Sequence, residues 1–236
     1  VLVETMRREG FELQVGSPQV IFHEIDGKKQ EPIENVVMWV PEETSGAIFE
    51  MLGKRKGIVK NMITENGITN MEFEVPTRGL LGFRSRFTIE TKGEGIVYSS
   101  FDRYDDYKGP IEKRDVGSMI SGFNGTAMAF SLWNLEDRGP ILIEPGTEVY
   151  EGMIVGEHSR ENDLVVNVCK GKKLTNMRAA GSDDALKLAP PKVFTLELAL
   201  EYIEDDELVE ITPNNIRLRK KYLNANERKK FENSKN

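Results

Sequence analysis

The chain reads as an α+β protein on three observations. Residues 33–103 alternate strand-like and helix-like apolar patterns in the order β-α-β-β-α-β. Asn66-Gly67, the strongest short hairpin signal, joins the two middle strands with no helix between them. Beyond residue 110 the apolar segments shorten and are separated by Gly, Pro and Asn, the spacing of a β-rich unit. The first pattern is the ferredoxin-like split βαβ arrangement, a four-stranded sheet with two helices on one face. The expected architecture is a ferredoxin-like βαββαβ domain over 26–110, followed over 111–236 by a β-rich C-terminal domain with a long basic loop and peripheral helices.

Taken in order, residues 1–9 read as the end of a helix stopped by Gly10. Phe11–Val15 and Val20–Glu24 read as extended pieces, and Asp26-Gly27 as a turn. This opening is too short for a core of its own, so residues 1–25 are expected to be the remnant of a domain lying elsewhere in a longer chain. Glu34–Val40 is rich in Val, Met and Trp and predicts a strand. Pro41-Glu42-Glu43 opens a helix with acids at its positive end, and Ile48, Met51 and Leu52 give it an apolar face. Ile58–Thr64 and Thr69–Val75 flank the Asn-Gly turn as strands. Leu80, Phe83, Arg84 and Phe87 recur at helical spacing, Lys92–Gly95 breaks that helix, and Ile96–Phe101 alternates as a strand. Tyr104–Pro110 reads as a linker. The antiparallel β-rich part follows, with apolar segments at 116–120, 125–133, 141–144, 147–155 and 163–169. Thr195 caps a helix running to Ile203, Val209–Thr212 and Ile216–Arg219 form a hairpin around Pro213–Asn215, and Asn224 opens a final basic helix.

The net charge of −7 makes the chain a poor generic nucleic-acid binder, so any RNA contact must come from local patches. Basic clusters occur at Lys54–Lys56 with Lys60, at Lys170–Arg178, and at Arg217–Lys221 continuing to Arg228–Lys230. The middle one stands apart. Lys170, Lys172, Lys173 and Arg178 have no acid among them, and the stretch to Pro191 reads as an excursion of about twenty residues between ordered elements; loops of that length are uncommon in compact domains and usually functional or disordered. The cations suit phosphate, and Asn176 and Met177 suit a base or a sugar. A solvated surface loop is the rival reading.

No phosphate-cradling G-x-x-x-x-G-K-[ST] loop, G-x-S-x-G, H-E-x-x-H or C-x-x-C occurs. Cys169, alone, has no partner for an internal disulfide and reads as a buried thiol in a reducing compartment. One Cys and two His, at 23 and 158, give no metal-ligand spacing. Asp102, Asp105, Asp106, Asp183 and Asp184 are read as surface acids before they are read as a cation site. His158–Asp163 is the one local mix of base, nucleophile and acids. Neighbours in sequence do not make a triad, so this is read as a turn, with His158 and Arg160 as candidates to face RNA beside the long loop. No apolar run approaches the ~20 residues of a membrane helix.

Longer motifs carry a resemblance. Met6–Leu13 (MRREGFEL), with Ser17-Pro18 and Glu31-Pro32, resembles the end of domain III and the start of domain V in ribosomal translocases of the elongation factor G type. Arg78–Arg84 (RGLLGFR), Tyr104–Asp106, Gly146–Gly152 (GTEVYEG), His158–Asp163 (HSREND), Gly171–Arg178 (GKKLTNMR) and Asp205–Thr212 (DDELVEIT) resemble the BipA/TypA family of translational GTPases. The resemblance runs essentially the whole chain. It implies the C-terminal part of a ribosome-associated GTPase linked to stress adaptation and large-subunit assembly. The implied split is a domain III remnant at 1–25, domain V at 26–110 and a family-specific domain at 111–236. The chain itself would be no enzyme and hold no cofactor, with GTP and Mg bound by a domain upstream. The implied partners are the ribosome, through rRNA, the acceptor end of A-site tRNA and ribosomal proteins, for a cytoplasmic monomer. The implied contact loop is the 170–191 stretch, with Lys170, Lys172, Lys173, Asn176, Met177 and Arg178 as contact residues. A rival class is a module docking ribosomal proteins or assembly factors through the open face of the ferredoxin-like sheet.

Overall fold

The computed structural model describes residues 2–111, 114, 116–171 and 187–235. The chain divides into two compact units. Val1–Ser17 with Arg114–Asn236 make one, and Pro18–Lys113 the other.

The opening stretch forms α1 (Leu2–Arg8), ended by Gly10 at φ 90°, and then β1 (Leu13–Gly16). β1 aligns antiparallel with Leu208–Ile211. The first residues therefore find their sheet partner some two hundred positions away, and Val3, Leu13 and Val15 pack against the core there.

In the second unit a short β2 (His23–Ile25) turns through Asp26 and Gly27, both at positive φ, into the long β3 (Lys28–Pro41). Then come α2 (Glu42–Lys54), β4 (Ile58–Glu65), β5 (Ile68–Pro76), a 3-10 turn at Thr77–Leu80, α3 (Phe83–Glu90) and β6 (Ile96–Asp106). β3 lies between β6 and β5, and β4 flanks β5, all antiparallel. This is the ferredoxin-like sheet. Asn66 and Gly67 take φ of 52° and 77°, the left-handed values a tight hairpin demands. Val36, Met38 and Val40 of β3 and Met71, Phe73 and Val75 of β5 face one way and bury Ile48 and Leu52 of α2 with Phe83 and Phe87 of α3. Burial of each such side chain is worth about 1.5–3 kcal/mol.

Two expectations change here. The helix read from Leu80 through Phe87 is two pieces, because Gly82 sits at φ 65° between the 3-10 turn and α3. Tyr104–Asp106, read as linker, is strand, because β3 begins early enough to pair Gln30–Pro32 with it.

The other unit continues with β7 (Gly117–Ser121), β8 (Gly125–Thr126), α4 (Ala129–Trp133), a 3-10 turn at Glu136–Arg138, β9 (Glu148–Val149), β10 (Met153–His158), β11 (Leu164–Val166), α5 (Leu196–Tyr202), β12 (Glu207–Ile211), β13 (Ile216–Lys220) and α6 (Ala225–Lys235). Its main sheet has the order β1-β12-β13-β10-β7-β11. β10 sends Met153 and Val155 into one hydrophobic cluster and Ile154 into another, the alternation of a strand covered on both faces. The Thr195 hydroxyl accepts from the Leu198 N–H at 3.3 Å, capping α5, and Asn224 Oδ1 accepts from Asn226 N–H at 2.9 Å at the start of α6. The antiparallel pattern is not uniform, since β11 runs parallel to β7. Residues 129–133 form a helical turn too short to show a period, and Ile141 makes only an isolated bridge to Gly156. No helix among the described residues is long and apolar enough to cross a membrane.

Candidate nucleic-acid interface

The basic stretch has a fixed root. Going out, the Met128 N–H donates to the Val168 carbonyl at 2.8 Å and the Ser131 hydroxyl to the Lys170 carbonyl at 2.5 Å. Coming back, the Ala189 N–H donates to Glu136 Oε1 at 2.7 Å, the Lys192 N–H donates to the Ile141 carbonyl at 2.9 Å, and Leu188 packs on the core. Both ends are thus tied to the segment 128–141. Lys170 itself is exposed. Lys172, Lys173, Asn176, Met177 and Arg178 lie outside the described residues, as do Asp183 and Asp184. Ser131 and Glu136, which hold the root, carry no sequence signal beyond ordinary polar residues.

The same segment supports the His158–Asp163 turn. The Ser159 N–H donates to the Arg138 carbonyl at 2.8 Å, and the Gly117 N–H to the Arg160 carbonyl at 2.6 Å. Arg160 is exposed and, with Ser159, Glu161 and Asn162, lines an open depression of about 440 Å³. His158 does not face outward: the residue is 4% exposed, and Nδ1 lies 2.5 Å from the Asn162 carbonyl. The structure therefore corrects its reading as an RNA-facing side chain to that of a turn-closing one. Asp163 accepts from the Ser118 N–H at 2.8 Å and meets Lys220 Nζ at 2.6 Å, so its carboxylate is occupied by structure rather than by the histidine.

That ion pair belongs to a buried cluster that the sequence did not announce. Glu207, fully buried, meets Lys220 Nζ at 2.9 Å and Arg114 Nη2 at 2.6 Å, and accepts from the Ser118 hydroxyl at 2.9 Å. Lys220 also meets Asp206 at 3.0 Å. Burial pushes the Glu207 carboxyl up, yet the Lys220 and Arg114 charges outweigh it and hold the group below its ordinary range. Burial likewise disfavours the charged Lys220, and Glu207, Asp163 and Asp206 together raise it nonetheless. The Arg114 guanidinium lies 4.5 Å from the centre of the Tyr202 ring, and burial raises that phenol.

The second unit has a counterpart. Glu31, fully buried, accepts from Arg78 Nη2 at 3.0 Å and from the Lys108 N–H at 2.7 Å; Arg78 Nε completes the fork. Of the other basic clusters, Lys60 meets Glu74 at 2.7 Å, Arg55 donates to the Gly79 and Leu81 carbonyls, and Arg228 donates to the Tyr222 carbonyl. Asp102 and Asp105 are taken by Arg103 and Lys108. No group of His, Cys, Asp and Glu among the described residues has the arrangement of metal ligands.

Comparison with known proteins agrees with this division. The family model for the elongation factor G C-terminus matches residues 28–115, and that for the TypA/BipA C-terminal domain matches residues 116–225. Proteins named large ribosomal subunit assembly factor BipA from Escherichia coli (strain K12) and Salmonella typhimurium are 53% identical over 232 residues, and that from Haemophilus influenzae is 52% identical. The alignments cover 98% of this chain but 38% of each relative. A solved structure from Thermus thermophilus overlaps 34% of this chain and 12% of its own, at 25% identity and a TM-score of 0.33, too little to compare folds. With adjoining models matched from residue 28 to 225 and relatives half identical along nearly its whole length, the chain belongs to the TypA/BipA family.

Proposed function

We propose that this chain is the ribosome-binding part of a translational GTPase, gripping rRNA and the acceptor region of A-site tRNA through the stretch Lys170–Arg178. The observation that carries the reading is the root: the run Lys170–Arg178, which has no acid in it, begins where the chain leaves segment 128–141, and the same segment holds the chain's return at Ala189 and Lys192 and the Ser159 N–H next to exposed Arg160. The name of the relatives, large ribosomal subunit assembly factor, agrees with a ribosomal partner. The contact residues are Lys170, Lys172, Lys173, Asn176, Met177 and Arg178, with Arg160 as a further one. In this reading residues 1–25 derive from domain III, 26–110 are domain V, and GTP and Mg bind elsewhere in a longer, monomeric, cytoplasmic protein that times release by hydrolysis. A basic loop loses conformational entropy on ordering, and counterion release offsets it.

Four cations meeting four phosphates lower affinity by about two decades between ~50 and ~200 mM salt. The test is ribosome pelleting with the longer protein, wild type against Lys172→Glu, Lys173→Glu and Arg178→Glu combined. Lost binding with a shallower salt slope supports the loop; unchanged binding and slope remove it from the mechanism. A second reading rests on the uncovered face of the ferredoxin-like sheet, where β3 and β6 place exposed Trp39, Ile96 and Tyr98 side by side and β4 adds exposed Ile63 across Asn70 of the intervening β5. Its polar neighbours include Glu72, which suits a basic protein better than RNA; Glu74 on the same strand is already held by Lys60 and Arg103. Footprints confined to ribosomal proteins, and lost in Trp39→Ser, favour that face over the loop.

A further inference from the structure

The unit Pro18–Lys113 is an insertion in the other unit, which resumes at Arg114. The chain therefore crosses between the units twice. A buried carboxylate and an arginine grip the outgoing crossing on each side. Beyond it, buried Arg114 meets buried Glu207 at 2.6 Å. Before it, Arg78, 14% exposed, forks onto fully buried Glu31. The pair before the crossing also holds backbone. Glu31 Oε1 accepts from the Lys108 N–H at 2.7 Å, and Arg78 Nη2 donates to the Gly109 carbonyl. Residues 107–109 lie past the end of β6 and are fixed by these side chains of β3 and of the 3-10 turn. The incoming crossing is drawn to the same place. The Phe22 ring meets that of Tyr107 edge-on at 5.9 Å. The Lys29 ammonium lies 3.9 Å from the centre of the first ring and 4.4 Å from that of the second, and the Arg78 guanidinium lies 4.6 Å from the second.

We infer that Glu31 and Arg78 form a clasp that shortens the tether between the two units. Closed, it leaves residues 110–113 between Gly109 and the next gripped residue, Arg114, a reach of roughly 18 Å at full extension. Open, the last bond from this segment to another strand among the described residues is that of the Tyr107 N–H to the Lys29 carbonyl, at 3.1 Å. The free stretch then starts at Lys108, and the reach grows to roughly 25 Å. The fork suits the task because one guanidinium binds the carboxylate and still has a donor for the Gly109 carbonyl. None of these residues belongs to the basic loop, and the clasp does not depend on what that loop binds.

Removing one partner would strand a buried charge, so the clasp is opened by replacing both, Glu31→Leu with Arg78→Met, in this whole chain. Two measurements follow it. Amide hydrogen exchange reads the Lys108 N–H. Spin labels on Thr88→Cys and Asn214→Cys, both exposed positions, read the distance between the units, with Cys169→Ala present in parent and variant alike. The Lys108 amide should exchange about ten to a hundred times faster once its charged acceptor is gone. The distance distribution should broaden by roughly two-fifths, in proportion to the reach. Phe73 and Val209 amides, in the two cores, should exchange as before. Should they speed up too, Tyr107→Ser takes the place of the double variant: it leaves the ion pair intact, removes the ring shared by Lys29 and Arg78, and is expected to broaden the distribution by less. A distance distribution no broader than the parent's in whichever variant keeps its cores, or a Lys108 amide as protected as before in the double variant, would overturn the clasp.

Discussion

Two carboxylates in this molecule have the same retinue and different fates. Glu207 is held by one lysine and one arginine, Lys220 and Arg114. Glu74 is held by one lysine and one arginine as well, Lys60 at 2.7 Å and Arg103 at 3.0 Å. The first set is sealed: the side chains of Lys220 and Arg114 are 4% and 6% exposed. The second lies open, with Lys60 and Arg103 at 48% and 43%. The strong hydrogen bond from Arg103, seconded by Lys60, draws the Glu74 carboxyl down to about 2. That shift does not become a matching stability, because water and salt screen the exposed cations. Counting ion pairs would rank the two alike; burial ranks them far apart.

The largest way to break the symmetry is Lys220→Met. It leaves Glu207, Asp163 and Asp206 facing one another with only Arg114 to balance them. Removing one partner of a buried pair costs about 3–5 kcal/mol. Urea unfolding should show that loss, and a loss below ~1 kcal/mol would mean that water enters the cluster. Asp163→Asn comes next. It keeps the shape but weakens the acceptor for the Ser118 N–H and removes one charge from Lys220, for about 1–3 kcal/mol. The same unfolding curve checks it.

The Asp163 result bears on how much the sequence could say. The HSREND stretch is conspicuous, and its residue types invite a chemical or RNA-facing reading. Its two ends instead serve the fold, His158 on the Asn162 carbonyl and Asp163 on Lys220. Nothing local to 158–163 points to Lys220, because the partner arrives through β13 from almost sixty positions away. The ferredoxin-like sheet was legible for the opposite reason. Its period-2 strands, its Asn66-Gly67 turn and its helix faces are each local signals that agree with one another. Pairing of β1 with β12 was illegible, since a four-residue strand carries no address for a partner so distant. Tyr104–Asp106 reads as linker because its strand neighbours, Gln30–Pro32, are polar or proline and show no alternation of their own. At the candidate interface the acid-free run of cations could be read, but its anchors Ser131 and Glu136 could not, since one hydroxyl and one carboxylate look like any others.

Acidity and alkalinity sharpen the comparison further. Glu207 has a folded pKa below its unfolded value, so its contribution is present above the unfolded value, about 4.3, and is lost as pH falls through the lower folded one. Lys220 is raised, so its contribution is full below about 10.4 and is lost as pH rises through the higher folded value. Stability of this unit should therefore stay level through the neutral range and fall at both ends, by up to ~1.4 kcal/mol per pH unit for each proton involved. Denaturant unfolding at a series of pH values measures this. In Glu207→Gln the acid limb should flatten; an unchanged limb would assign it to other carboxylates.

The smallest effect belongs to the open cluster. Arg103→Gln removes the leading partner of Glu74 but leaves Lys60 within reach and water around both. Exposed pairs are worth about 0.2–1 kcal/mol. The variant should lose no more than that, and the difference from wild type should shrink further as salt rises, since the Debye length falls from about 10 Å at 0.1 M to about 3 Å at 1 M. Lys220→Met should keep most of its deficit over the same salt range, because the Glu207 carboxylate that it leaves behind is fully buried, although Asp163 and Asp206 are partly exposed. Unfolding of both variants at low and high salt makes that contrast measurable. A salt-insensitive loss of several kcal/mol in Arg103→Gln would mean that Glu74 is shielded from solvent after all, and the distinction between the two carboxylates would fail.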